Sequence, residues 1–367
     1  MRIGINALFL IPGGVGGTEI YLRNLLAAFA AAPRSHQFVV FLNRQTGPDL
    51  LPAHPAFLPV QTGVNAVSRP ARILYEQTVF PWKAARAGID VMFNPGFTAP
   101  LLLPCPNVTL IHDLQHHHHP EYFKPADLLA WRLLVWSAAT FSARILTVSA
   151  ASTADVIDVY NVPAAKAHTA EPGVDPALFE LSHSPEPLIL CVSTLHPHKN
   201  IERLIDAFAL FFPRHPEYSL VLAGMRGFHA DAVEARIRHH GLQAKITITG
   251  WIPRPEILAL YARAQFAVFP STFEGFGIPV AEALAAGVPL ITSNIRPMTD
   301  TAQDAALLFA PTDTQALLHA MEQYAADPAL REANAARGRR LAARYTSHRT
   351  AQTTLNVLEQ AYEDRTR

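Results

Sequence analysis

The chain has 367 residues, half of them hydrophobic, with 30 basic and 30 acidic side chains. That length buries two cores comfortably, and the balanced charge gives no global pull towards nucleic acid, leaving room only for local basic patches. The two cysteines, Cys105 and Cys191, stand far apart without a CxxC pair, which points to a reducing, cytoplasmic setting rather than a disulfide framework.

The N-terminal run "RIGINALFL" reads as a buried strand. Asn6 interrupts it and no small-residue cleavage site follows, so a signal peptide is the poorer reading. "GGVGG" is a turn and "TEIYLRNLLAAFA" an amphipathic helix. "QFVVFLN", "VMFNPG", "NVTLIHD" and "RILTVSA" are further strands with helical stretches between them, the βαβ rhythm of a parallel sheet. Residues 173–187 are rich in proline and polar residues and read as a linker. The rhythm restarts with "LILCVST", "YSLVLAG", "KITITG", "FAVFPS" and "PLITSN", with helices from about Asn200, Asp231 and Arg254. The expected organisation is a first α/β domain over 1–172, a second over 188–346 and a C-terminal helix over 347–367. No segment carries the roughly eighteen unbroken apolar residues of a membrane span. Asp127 to Phe141 is apolar with two tryptophans and Arg132; it reads as a core helix, with lipid docking as the alternative.

Ligands of open α/β sheets lie beyond the carboxyl ends of the strands. Four such ends carry chemistry. After "FAVFPS" comes "FEGFGIPVAEAL", with Glu274 and Glu282 around Gly275, Phe276 and Gly277. Pro279 suits the first turn of a helix and Gly287 its end. The turn and helix N-terminus therefore offer backbone N–H groups to an anion such as a diphosphate, and the glutamates can accept from hydroxyls on either side. A plain glycine turn with two solvated acids is the alternative.

After "LILCVST", Lys199 precedes a helix and suits a phosphate, or is simply a surface lysine. "GGVGGTE" after the first strand is not a dinucleotide fingerprint, because Glu19 takes the last glycine position and the second strand ends without an acid. It remains a loop that lets backbone approach a ligand, or a tight turn. His112 and Asp113 end another strand. His116 to His119 follow, but four consecutive side chains in a loop converge poorly on a metal. No Asp-x-Asp pair occurs, so no metal is expected and phosphate charge must be met by lysine, arginine and a helix end.

Together these residues resemble the retaining glycosyltransferases of family 4, with the GT-B fold, and most closely their mannosyltransferase-like branch. The resemblance is strongest from "LILCVSTLHPHKNIERLIDAF" through "FPSTFEGFGIPVAEALAAGVPLITSN" to "DAALLFAP", with "GGVGGTEIYLRNLL" and "TLIHDLQ" in the first half. It implies two Rossmann-like domains with parallel sheets facing across a cleft, and a last helix crossing back to the first domain. It implies that Glu274, His112 and Lys199 serve catalysis: Glu274 on the donor sugar, His112 facing that sugar, Lys199 on the leaving diphosphate. Glu282 would bind the ribose, and Gly275, Phe276, Gly277 and Ile278 would offer backbone donors. Gly16, Gly17 and Thr194 would join the donor set. The family's arginine shortly before the lysine is missing from "STLHPHK", so Arg203 or Arg226 would assist Lys199. The family's usual Pro-Glu near the end is replaced by Thr299 and Asp300.

The function implied is metal-independent transfer of a hexose, mannose from GDP-mannose first, to a glycan or lipid-linked acceptor, with retention, in the cytoplasm or at the inner membrane face. A GT-B epimerase or phosphorylase, or an inactive nucleotide-sugar-binding scaffold, is the alternative.

Overall fold

The computed structural model describes residues 1–14, 16–32 and 36–366. Two compact units divide the chain: Met1–Gly173 with Ser347–Arg367, and Val174–Thr346.

The first unit opens with β1 (Arg2–Asn6), α1 (Gly17–Ala31), β2 (Gln37–Leu42) and β3 (Phe57–Gln61). Two short helices, α2 (Arg69–Thr78) and α3 (Phe80–Arg86), lead to β4 (Val91–Asn94) and β5 (Asn107–Ile111). Next come α4 (Gln115–His118), α5 (Pro125–Phe141), β6 (Arg144–Thr147), α6 (Ala150–Tyr160) and β7 (Ala167–Thr169). Among the described residues these strands form a seven-stranded sheet in the order β3-β2-β1-β4-β5-β6-β7, parallel at every pairing. Strand order reverses between β1 and β4, the kind of switch point beyond which open α/β sheets generally take their ligands.

The second unit runs β8 (Leu188–Val192), α7 (Ile201–Phe211), β9 (Ser219–Ala223), α8 (Ala230–His239), β10 (Ile246–Gly250), α9 (Arg254–Arg263), β11 (Phe266–Phe269) and α10 (Ile278–Ala286). It closes with β12 (Leu290–Ser293), α11 (Met298–Ala302), β13 (Ala306–Phe309), α12 (Thr314–Ala326) and α13 (Pro328–Ala342). Its six strands are again parallel, in the order β10-β9-β8-β11-β12-β13. Here the reversal falls between β8 and β11. Both sheets carry helices on their faces, so central strands are buried on both sides: β5 and β11 are buried at every position.

The last helix, α14 (Ser347–Thr366), follows the second unit in sequence but belongs to the first. It packs on α1. Thr350 Oγ1 donates to the Glu171 carbonyl at 2.6 Å, and Leu355, Leu358 and Ala361 are buried.

Several expectations need correction. β1 stops at Asn6, not Leu10, although Leu8 and Leu10 are fully buried. The Asn43 side-chain amide donates to the Leu8 and Leu10 carbonyls at 3.0 and 2.7 Å, so this apolar run is a buried turn satisfied by an amide rather than a ladder. The edge strands β3, β7 and β13 escaped notice: β3 contains Pro59, which only an edge tolerates, and β7 has three residues. The stretch read as a linker is partly folded. Asp175 caps a 3-10 turn over Pro176–Glu180 by accepting from the Ala177 N–H, and Leu178 is buried.

Candidate functional site

Lys199 and Glu274 are brought together from 75 residues apart by the β8/β11 reversal. Lys199 ends a 3-10 turn after β8, and Asn200 stands in the left-handed region at φ 55°. From there its amide donates to the Pro270 carbonyl after β11 at 3.0 Å and the Pro311 carbonyl after β13 at 2.9 Å. Thr272 N–H donates to the His198 carbonyl at 2.7 Å. Three strand ends are thus stitched into one rim.

On that rim Lys199 Nζ lies 2.6 Å from Glu274 Oε1, and Ser271 Oγ donates to the same oxygen at 2.8 Å. Burial alone would push the Glu274 carboxyl up, but Lys199, His198 and Ser271 together outweigh it and hold the group below its usual range. Glu274 is therefore an ionised acceptor at neutral pH, and Lys199 a cation whose present partner is a side chain.

Gly275, Phe276 and Gly277 form the turn before α10, with Gly277 at φ 85° and Ile278 as first helical residue. The Gly277 dihedral favours glycine, and a Cβ there would also have to displace Met298 Sδ, which it would meet at 2.7 Å. The Phe276 ring is buried, edge-on to Tyr345 at 5.4 Å, which fixes the turn from behind and leaves its backbone as the chemical surface.

Glu282 lies one turn into α10 and is buried. Its Oε1 takes Arg254 Nη1 at 2.7 Å and its Oε2 the Tyr261 hydroxyl at 3.2 Å. Burial raises its pKa and Arg254 only partly offsets this. Arg254 also donates to Asp175 at 3.0 Å. Sequence reasoning missed Arg254; its signal was a lone arginine at a helix start, where an acid is the usual choice.

Arg203 and Arg226, expected to assist Lys199, are otherwise engaged. Arg203 donates to the Thr312 carbonyl and the Thr314 hydroxyl, both at 2.8 Å, and Arg226 pairs with Glu234 and Asp231 on an exposed surface. The Arg203 bonds pin the turn between β13 and α12 to α7. Thr194 stands in the turn after β8 and its carbonyl accepts from His196 N–H.

In the first unit, Gly16 caps α1 at φ 57° and Gly17 begins it. Glu19 reaches back to the Gly13 N–H at 2.8 Å, holding the glycine loop, and is itself held by Arg23 at 2.9 Å. Val15, inside this loop, lies outside the described residues. His112 follows β5; its Nε2 meets the Pro95 carbonyl at 3.0 Å and its ring packs against Tyr21 and Phe97. Burial pushes it down to about 4, against the pull of that carbonyl, so it is neutral at pH 7.

Three of the four histidines, His116 to His118, occupy a helical turn, α4, rather than a loop, His119 caps it, and their partners differ. His116 is buried against the Tyr160 hydroxyl, His118 meets Asp155 and His119 meets Glu121. Among the described residues no three His, Cys, Asp or Glu side chains group to hold a metal. Helix α5 is core on one side only: Val135, Ala138 and Ala139 are buried, while Leu129, Leu133, Trp136 and Phe141 are exposed. No helix among the described residues is long and apolar enough to cross a membrane.

The sequence patterns described as Glycosyltransferase Family 4 and Glycosyl transferases group 1 match residues 15–178 and 179–341. An O-antigen chain mannosyltransferase B of Escherichia coli is 30% identical over 264 residues, 68% of this chain and 69% of that one. This chain belongs to glycosyltransferase family 4. A glycogen synthase of Mycobacterium tuberculosis is 26% identical over 92% of this chain and 90% of its own. Among solved structures, sucrose-phosphate synthase from Thermosynechococcus elongatus superposes with a TM-score of 0.82 at 19% identity, covering 99% of this chain and 100% of that one. Anabaena HepE, in complex with UDP and glucose, gives 0.77 at 19% identity over 98% and 99%. The two parallel-sheet units are those of the GT-B fold. The family 4 chain is a glycosyltransferase, and its relatives place it among the hexosyltransferases.

Proposed function

We propose that this glycosyltransferase moves mannose from GDP-mannose to a hydroxyl of a glycan or lipid-linked acceptor in the cytoplasm, with retention at the anomeric carbon and without a metal. The observation that carries this reading is the Lys199–Glu274 pair at the β8/β11 reversal, next to the N-terminus of α10. When a diphosphate enters, Lys199 exchanges Glu274 for phosphate oxygens. Glu274 is then released to accept from sugar hydroxyls, and Glu282 accepts from the ribose. Gly275 to Ile278 and Thr194 give the donor its backbone frame.

In the transfer step the bond from the anomeric carbon to the diphosphate oxygen breaks and a bond to the acceptor oxygen forms on the same face. The acceptor proton passes to the departing phosphate. Fixed dipoles and a lysine aimed at the leaving group stabilise the charge that develops. The mannosyltransferase relatives in Escherichia coli and Salmonella typhimurium support the choice of sugar. The exposed apolar residues of α5, with Arg132 exposed among them, support contact with an anionic lipid surface.

The test is calorimetric titration of GDP, UDP and dTDP in EDTA, followed by transfer from the matching donor with the product anomer read by NMR. Metal-free binding of GDP and an α-mannoside product are expected. Selective UDP binding, a metal requirement or an inverted product would each replace the corresponding part of the reading.

A further inference from the structure

One face of α9 is aimed at a single carboxylate. Arg254 opens the helix and Tyr261 follows seven residues later on the same face. Both reach Glu282 of α10: Arg254 Nη1 lies 2.7 Å from Oε1, and the Tyr261 hydroxyl donates to Oε2 at 3.2 Å. Arg254 Nε also donates to Asp175 Oδ2 at 3.0 Å. All four residues belong to the second unit. A cation in the first turn of a helix opposes the helix dipole, which favours an acid there. The two carboxylates hold this arginine in place against that preference.

The guanidinium keeps bonding capacity in reserve. It carries five N–H donors, and these contacts take two, one at Nε and one at Nη1. Exposure rises outward through the group: the Glu282 side chain is 6% exposed, Asp175 30% and Arg254 34%. A ligand that approaches Glu282 therefore meets Arg254 beside it. The charges do not balance, because two carboxylates face one guanidinium. Burial raises the Glu282 pKa, Asp175 adds to the rise, and Arg254 and Tyr261 only partly offset it. A further anion is unwelcome here, in contrast to the Lys199 rim.

Neutral hydroxyls suit the group. Each donates to a carboxylate and accepts from a guanidinium, and two on adjacent carbons match a carboxylate and guanidinium in contact. A ribose offers that pair; a 2′-deoxyribose lacks it. Arg203 and Arg226 are committed elsewhere, to Thr312 with Thr314 and to Glu234 with Asp231. We propose that Arg254 is a nucleotide-contacting, specificity-determining residue: beside Glu282 it clasps the vicinal ribose hydroxyls, so that the enzyme takes ribonucleotide sugars and rejects 2′-deoxyribonucleotide ones. This rests on the functional reading above, which sets the ribose on Glu282, and deepens it by excluding dTDP sugars as donors.

The test titrates the full chain with GDP and 2′-deoxy-GDP, with UDP and 2′-deoxy-UDP, and with dTDP. For whichever base binds, the wild type should prefer the ribonucleotide about tenfold or more, the worth of a hydrogen bond to a charged group. Arg254→Ala should bring ribonucleotide affinity down to near that of the deoxynucleotide, which itself changes little. Arg254→Lys keeps the charge without the planar fork and should recover only part of the preference. An effect passed on through the Glu282 charge alone is separated in a Glu282→Gln background, which has no carboxylate to keep ionised. There Arg254→Ala should still lower the remaining ribose preference about threefold. Thermal melts check that each variant is folded. Equal binding of ribose and deoxyribose forms by the wild type, selective binding of dTDP, equal loss of both forms in Arg254→Ala, or no effect of that substitution in the Gln background would overturn the role of Arg254 and leave the transferase standing. Failure of the wild type to bind any nucleotide is a different result: it removes the functional reading itself.

Discussion

Lys199 and Glu274 form the tightest charge contact on the β8/β11 rim, with Nζ and Oε1 2.6 Å apart and both side chains largely buried. A lysine this well matched to a carboxylate looks like a stabilising pair. On the proposed function, its position at a strand reversal, next to a helix N-terminus, makes it equally a phosphate site held closed by an internal anion.

Removing one partner separates the two roles. Lys199→Ala should cut transfer by about 10²–10³, the usual cost of losing one charge-stabilising donor, and should also lower Tm because Glu274 is left buried without its counter-charge. Glu274→Gln should cut transfer and lower Tm less than Lys199→Ala does, since Ser271 and Lys199 can still bond the amide oxygen although Lys199 loses its counter-charge. Steady-state rates and thermal melts on both variants check this; near-wild-type turnover in both would sink the assignment.

Arg254 should govern how nucleotide affinity depends on pH. Glu282 accepts hydroxyls best when ionised, yet burial raises its pKa and Arg254 opposes that rise. Nucleotide binding should weaken as pH falls towards this raised pKa. In Arg254→Ala the carboxyl is harder to ionise, so the weakening should begin at higher pH, and affinity at neutral pH should fall about tenfold, as for loss of one charged hydrogen bond. Titrations across pH in both proteins measure the displacement.

The first unit should be acid-sensitive through His112 and His116. Burial is the main cause that pushes each from 6.5 down to about 4; for His116 the neighbours His117, Arg132 and His118 add to it. Between these values the unfolded chain binds protons that the folded chain refuses, so stability is complete above about 6.5 and is lost as pH drops towards 4. Tm followed over that window should fall, and His116→Asn should flatten the decline by its share.

Gly277→Ala should be costly for its size. An alanine at φ 85° costs about 1–2 kcal/mol in backbone strain, and its Cβ would meet Met298 Sδ at 2.7 Å. A lower Tm and weaker nucleotide binding are expected together, because the same turn frames the anion site. An alanine variant with unchanged Tm would show that the turn relaxes freely.

The exposed face of α5 can be tested on vesicles. Wild type should sediment with phosphatidylcholine vesicles containing phosphatidylglycerol and less with phosphatidylcholine alone. Leu133→Glu with Trp136→Glu should release it without changing Tm, since both positions are exposed. Equal sedimentation of variant and wild type would remove the membrane contact.

The sequence by itself determined the alternation of strands and helices and the two parallel α/β units, because buried central strands write themselves as apolar runs between turn residues. It also determined the turn at Gly275 to Gly277, the helix ended by Gly287 and the candidacy of Glu274, Glu282 and Lys199, because proline, glycine and charge carry local rules that need no partner. What it could not supply was pairing across distance. Lys199 meets Glu274, and Arg254 meets Glu282 and Asp175, only because strand order brings those ends together, and strand order is not encoded in any window of neighbouring residues. For the same reason Arg203 and Arg226 looked available and are not, and the edge strands β3 and β13 left little trace. Helix α2 is a further case: Arg72 and Glu76 are buried on it, and Glu76 finds Asn6 of β1 beside it, a partner far off in sequence that no local pattern names.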